Sequence, residues 1–247
     1  MIKAIIFDFG QTLVDSADGF RSAEKIVQEK IFLSMFPHLN NDQWQIFLTE
    51  YRQIRKNFHT NSNFSRLAIW QAVYDRFKSK ADPENLEKWE SEYWERVKSQ
   101  TTPFPETVSV LENLAKEFQL GLITNTQGQK TSGTHRIALF PGIEKFFHTI
   151  IIAGEFGLPP KPHAKPFIVC LEKMNTIPEE AIYVGDDFEK DICGADNVGL
   201  HPVWLKHNLV KRSWPEPEHK MNFHIITDLT QLLKMSDHDK FTPLPAK

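Results

Sequence analysis

The chain opens on a short apolar run, "AIIF" at residues 4 to 7, closed by the carboxylate of Asp8. A continuous apolar and β-branched run without alternation predicts a strand buried on both faces. The rhythm then changes. Phe20, Ala23, Val27 and Ile31 recur at steps of three or four. So do Trp44, Phe47, Tyr51, Ile54 and Phe58, then Phe64, Leu67, Trp70, Tyr74 and Phe77, and finally Leu86, Trp89, Tyr93 and Val97. Each set is one apolar stripe on a helix, and the four predict a small bundle with an aromatic core. Asp82-Pro83 reads as a helix start, with Asp as N-cap and Pro at the first helical position.

"TTPFPE", residues 101–106, is a proline-punctuated joint, after which strand and helix alternate. "QLGLITN" (119–125), "HTIIIAG" (148–154), "AIYVGDD" (181–187) and "HPVWL" (201–205) read as strands. Helical stretches fall near 106–117, 132–140, 164–175 and 188–197, and "FHIITDLTQLLKMS" reads as a last strand and helix. The tail, "SDHDKFTPLPAK", is expected to be loose. Such alternation predicts an α/β fold: a Rossmann-like parallel sheet with helices on both faces. The first strand belongs to that sheet, so the bundle interrupts it. The expected division is an α/β core of residues 1–14 and 105–247 and an inserted, four-helix-bundle-like domain of residues 15–104.

Composition changes this picture little. The 247 residues are 40% hydrophobic and 25% charged, with a net charge of −3, as in ordinary globular domains. No global charge favours nucleic acid or an anionic membrane, and neither is expected as a partner. No apolar run approaches the roughly 20 residues that span a bilayer. "MIKAIIFDFG" passes straight into a strand, so no secretory leader is expected. Cys170 and Cys193 form neither a metal-type cluster nor a disulfide framework, which fits a reduced, cytoplasmic setting.

In an open parallel sheet, ligands gather outside the carboxyl ends of the strands. Asp8 ends the first strand, Thr124-Asn125 the second, and Asp186-Asp187 a later one; Lys161 follows the third in "GLPPKPHAKP". Singly, each has a plain structural use: Asp as a turn or N-cap residue, lysine as a solvated loop residue. Together, Asp8 and Asp186 suit magnesium, which takes carboxylate and carbonyl oxygens, while Lys161 and Thr124 suit phosphate oxygens.

These residues carry a resemblance to the haloacid dehalogenase superfamily, in the branch with an inserted helical (C1-type) cap. Its first motif, D-x-D-x-T, reads Asp8-Phe9-Gly10-Gln11-Thr12. The second, an apolar strand ending in Ser or Thr, reads "LGLITN", with Thr124 and Asn125. The third is Lys161 in "GLPPKP". The fourth, G-D-x-x-x-x-D, reads "VGDDFEKD", with Gly185, Asp186 and Asp191. The resemblance implies a magnesium-dependent phosphatase of a small phosphorylated metabolite, monomeric or homodimeric. Asp8 would form an aspartyl-phosphate. Thr124 and Asn125 would bind phosphoryl oxygens, and Lys161 would balance charge. Asp8, the Gly10 carbonyl and Asp186 would hold the metal, with Asp187 and Asp191 behind them.

Gly10 departs from the pattern. Family phosphatases carry there the Asp that protonates the leaving oxygen and activates water, a contribution of typically ~10²–10⁴ in rate. Asp15 and Asp18 lie close by and read as caps of the following helix. A dehalogenase- or phosphonatase-like hydrolase is the alternative, since those branches also lack the second Asp. Against a dehalogenase stands the acidic "GDDFEKD". A phosphonatase needs a cap lysine, and nothing distinguishes Lys25, Lys30 or Lys56 from solvated helix faces. A non-catalytic module that binds phosphate or metal is a third reading.

Overall fold

A computed structural model describes residues 1–38, 41–61, 63–128, 136–217 and 221–235. Part of the expected helical stretch 132–140, and the whole tail from residue 236, lie outside the described residues. The chain forms two compact units. One comprises Met1–Asp15, Thr102–Asn125 and the described residues from Arg136 onward; the other comprises the described residues of Ser16–Thr101 together with 126–128.

In the first unit, six strands of the described residues form one sheet: β1 (Ala4–Phe7), β4 (Gln119–Asn125), β5 (Thr149–Ala153), β6 (Ala181–Gly185), β7 (His201–Leu205) and β8 (His224–Ile226). Their order is β5-β4-β1-β6-β7-β8, and every pairing is parallel. The chain builds outward from β1 on both sides, so the order reverses beside β1. Such a reversal leaves a crevice at the carboxyl ends of the strands. Side chains alternate across the sheet. Ile5, Phe7, Leu122 and Val184 pack on one face with Val110 and Leu111 of α5 (Thr107–Leu114) and Leu232 of α9 (Gln231–Met235). Ala4, Ile6, Ile123 and Tyr183 pack on the other with Phe167 and Cys170 of α7 (Ala164–Lys173). Both faces are covered, which is why these strands read as unbroken apolar runs.

The chain leaves this unit through β2 (Val14–Asp15) and returns through β3 (Thr102–Pro103), which pair antiparallel. Two-residue strands have no period, and the sequence reading shows only a joint there. The stretch after Arg136 also differs from the long helix expected: a 3₁₀ turn, Arg136–Leu139, is followed by α6, only Pro141–Glu144. Pro141 lacks the N–H that a continuing helix would need. Residues 188–197 form one π-helical turn (Phe188–Cys193) running into α8 (Gly194–Asp196).

The second unit holds α1 (Ala17–Met35), α2 (Asn41–Thr60), α3 (Arg66–Arg76) and α4 (Pro83–Ser99). Asp82 caps α4, accepting from the Glu84 N–H at 3.1 Å, and Pro83 is its first residue. The aromatic stripes converge as expected: Phe47, Tyr51, Trp70 and Tyr93 are all buried, and Trp70 Nε1 donates to Tyr51 Oη at 3.1 Å. Beside them runs a buried polar chain. Arg66 Nη2 donates to Tyr93 Oη (3.3 Å), and Tyr93 donates to Glu24 Oε2 (3.2 Å). Glu24 Oε1 lies 3.5 Å from Arg55 Nη1. Asp18 pairs with Arg21 at 2.5 Å.

Candidate active site

Asp8 continues β1, its N–H donating to Val184 O at 2.9 Å. It takes the side of the sheet used by Ala4, Ile6 and Tyr183. Lys161, only 4% exposed, arrives there from the loop after β5. Its Nζ, with three N–H donors, lies within hydrogen-bond distance of four acceptors: Asp8 Oδ1 (2.8 Å), Asp191 Oδ1 (2.6 Å), Tyr183 Oη (2.8 Å) and Ile123 O (3.0 Å). Burial alone would lower its pKa, but Asp191 and Asp8 overcome that and raise it, so the ammonium stays charged.

Asn125 sets where this lysine begins. Its Nδ2 donates to Lys161 O at 3.1 Å, and its Oδ1 accepts from Lys161 N–H at 2.8 Å. The amide is thus committed to the Lys161 backbone. Thr124, buried at the end of β4, opposes Ile152 of β5 in register.

On β6, Gly185 makes room for Asp191. A Cβ at residue 185 would lie 2.5 Å from Asp191 Oδ2, closer than real contacts allow. Asp191 in turn accepts from Lys161 and Tyr183 (3.1 Å) through Oδ1 and from the Asp187 N–H (3.0 Å) through Oδ2. Burial pushes its carboxyl up to about 6, with Lys161 opposing and Asp8 reinforcing the rise. Three donors keep it satisfied as a carboxylate at neutral pH. The Asp187 side chain goes elsewhere: it caps the π turn through Lys190 N–H (3.0 Å) and pairs with Lys190 Nζ (2.6 Å). Only its backbone N–H holds the site.

Asp186 is pushed well above the ordinary carboxylate range, first by burial and then by the charges of Asp8 and Asp191; Arg212 opposes them. Arg212 Nη1 lies 2.7 Å from Asp186 Oδ2, and its Nη2 donates to the Asp186 carbonyl, which also accepts from Trp204 Nε1 at 3.0 Å. Arg212 stacks on Trp214, 4.0 Å from the ring centre. The Thr12 hydroxyl lies 3.4 Å from both Asp8 Oδ2 and Asp186 Oδ1.

Carboxylate oxygens of Asp8, Asp186 and Asp191 therefore lie within 4.8 Å of one another, all three residues buried. Among the described residues, two cations, Lys161 and Arg212, pair with them. If all three ionise, one negative charge is left over in a low dielectric, which is costly unless a further cation enters. Asp8 Oδ2 and Asp186 Oδ1, left over by Lys161 and Arg212, are the oxygens best placed to receive it. The Gly10 carbonyl accepts no hydrogen bond among the described residues. Both Asp191 oxygens are already used. Such an all-oxygen set suits a hard divalent cation.

A second trio, Glu106, His207 and Asp228, is also close enough to share an ion. The Leu209 N–H donates to His207 Nδ1 (3.1 Å), so the ring proton sits on Nε2 and donates to Glu106 Oε1 (2.7 Å). That nitrogen then has no lone pair for a metal; it pairs with Glu106, while Asp228 Oδ1 accepts from Thr230.

The sequence reading names neither Tyr183 nor Arg212. Tyr183 passes as a core residue of an apolar strand. Its one signal is parity, since it shares the face of Asp8. Arg212 lies in irregular chain after β7 and gives no local signal.

The family profile described as haloacid dehalogenase-like hydrolase matches residues 5–205. The chain belongs to this family of hydrolases. It is 29% identical over 208 residues to a glyceraldehyde 3-phosphate phosphatase of Methanopyrus kandleri, covering 83% of this chain and 84% of that protein. A HAD phosphatase structure from Thermococcus onnurineus superimposes with a TM-score of 0.66 at 23% identity, covering 95% of this chain and 97% of that one. A 2-haloacid dehalogenase from Pseudomonas syringae gives the same score, identity and coverage, so these likenesses establish the fold and leave the reaction open. No helix among the described residues is long and apolar enough to cross a membrane.

Proposed function

We propose that the chain hydrolyses a phosphoric monoester of a small metabolite, with Asp8 as nucleophile and magnesium as cofactor. The observation that carries this reading is the divided use of the Asp8 carboxylate. Lys161 holds Oδ1 at 2.8 Å, leaving Oδ2 beside Thr12 and the Asp186 carboxylate. Asp8, the Gly10 carbonyl and Asp186 would hold the ion. When bound, it screens the repulsion between carboxylate and phosphoryl oxygens. A surplus of buried carboxylates also favours this reaction over a metal-free dehalogenase.

In the first step an Asp8 oxygen attacks phosphorus and the ester oxygen leaves with its electron pair, giving an aspartyl-phosphate. Thr124 donates its hydroxyl to a phosphoryl oxygen, and Lys161 offsets the charge gathered around Asp8. Asn125 acts through Lys161, by fixing its backbone. In the second step water attacks the same phosphorus and Asp8 is released. Gly10 offers neither a proton to the leaving oxygen nor a base to the water, so poor leaving groups react slowly. The helical unit serves as the cap that selects the substrate.

Hydrolysis of 4-nitrophenyl phosphate by the wild type and Asp8→Asn, each in magnesium and in EDTA, tests the proposal. Turnover that needs both Asp8 and the metal is expected. Chloride release from 2-chloropropionate in EDTA, without phosphatase activity, would support the dehalogenase reading instead.

A further inference from the structure

On the helical unit, a groove of about 450 Å³ is lined by Arg52, Arg55, Lys56, His59 and Thr60, all on α2. We propose that it is an oxyanion-binding site for a small polyanionic metabolite, held by Arg52, Arg55 and Lys56. Positions 52, 55, 56 and 59 fall on one helix face, at i, i+3, i+4 and i+7. This arrangement sets like charges beside each other at 52/55 and 52/56, where each neighbour disfavours the helix. Arg52 and Lys56 have no carboxylate in ion-pair range among the described residues. The nearby acid Glu50 is taken by Arg76, through two hydrogen bonds of 2.7 and 2.9 Å.

A plainer explanation is that cations complement the negative end of the helix dipole. That effect fades within the last turn. It covers Lys56 and His59 but not Arg52, which lies two turns before Thr60. Arg55 is also held in place. Glu24, fixed by Tyr93 and through it Arg66, lies 3.5 Å from its Nη1, and its buried Nε has no hydrogen-bond partner. One guanidinium is thus anchored, with two exposed cations flanking it, along an open groove of metabolite size. Guanidinium groups bind phosphate and carboxylate oxygens through paired N–H donors. The chain as a whole is acidic, so the site is a local feature rather than part of a basic surface.

The test uses the full chain, ¹⁵N-labelled, in EDTA and low salt, titrated with pyrophosphate and, in a second arm, with citrate. Saturable shifts of the Arg52, Arg55 and Lys56 amides are expected with at least one probe. Arg52→Gln/Lys56→Gln, both at exposed positions, is expected to weaken that binding tenfold or more. Lys25→Gln/Lys88→Gln, on other helix faces, is expected to leave it unchanged. The proposal is overturned if those amides do not move at millimolar probe, if the first double variant titrates like wild type, or if the second weakens binding equally. Because the readout is at α2 and needs no turnover, it stands apart from the hydrolytic reading.

Discussion

Replacing Lys161 by Met keeps the volume of the side chain and removes its charge. Asp8 and Asp191 would then lose the ammonium that lies 2.8 and 2.6 Å away. Removing one partner of a buried pair costs about 3–5 kcal/mol, because the remaining charge stays desolvated. Asp191 keeps its bonds from Tyr183 and the Asp187 N–H, which favours the lower half of that range. At about 2–4 °C per kcal/mol for a chain of this size, Tm should fall by roughly 6–16 °C at pH 8 in EDTA. The pH dependence follows from the sign of each shift. The raised Lys161 pKa makes its contribution fully present below the unfolded value near 10.4, so it is intact at pH 8. At low pH the Asp191 carboxyl, pushed up to about 6 by burial, becomes neutral, and less charge remains for the lysine to compensate. The deficit of Lys161→Met should therefore shrink between pH 8 and pH 4. A cycle with Asp191→Asn should give less than additive losses, since the amide no longer needs the ammonium. A Lys161→Met protein as stable as wild type at pH 8, or strictly additive losses, would refute the account of this pair.

Asn125→Ala should lower the stability by about 1–3 kcal/mol, the cost of leaving buried polar groups unpaired, and reduce kcat more than KM, because it loosens Lys161 rather than a substrate contact. Urea unfolding and steady-state kinetics measure both. Asp186→Asn, an uncharged isostere of the protonated acid, should gain stability relative to wild type in EDTA as pH rises above about 4. The reason is that a raised carboxyl pKa stabilises the fold only while the group is protonated; Tm of the two proteins across pH 4–8 gives the sign. Gly10→Asp should raise kcat/KM on an alkyl phosphate more than on an aryl phosphate, since an alkoxide most needs the proton.

What could be read from the sequence was whatever has a period or a boundary. The four inner strands of the sheet stand out because they are buried on both faces, and the four long helices because their aromatic stripes step by three or four. Asp82-Pro83 marks its helix start because capping chemistry is local. The β2–β3 pair is invisible because two residues carry no pattern and one of them is Pro103. The site follows the same division. Asp8, Lys161 and Asp186 declare themselves by ending, or following, strands. Asn125 looks like a ligand residue, yet its amide is spent on a backbone 36 positions away. Arg212 reaches Asp186 across 26 positions from irregular chain, and Asp187 beside it turns to Lys190. Those choices are made by tertiary contacts, which no local window contains.

The central claim, that Asp8 carries the phosphoryl group, is tested most directly by a rapid-quench experiment with excess 4-nitrophenyl phosphate and magnesium. With Gly10 providing no base for the water, the second step should be slower than the first. The account therefore expects a burst of nitrophenolate approaching one equivalent of enzyme, and after acid quench a phosphorylated peptide containing Asp8. Linear release from the first turnover, no phosphorylated Asp8 peptide and undiminished turnover in Asp8→Asn would contradict it.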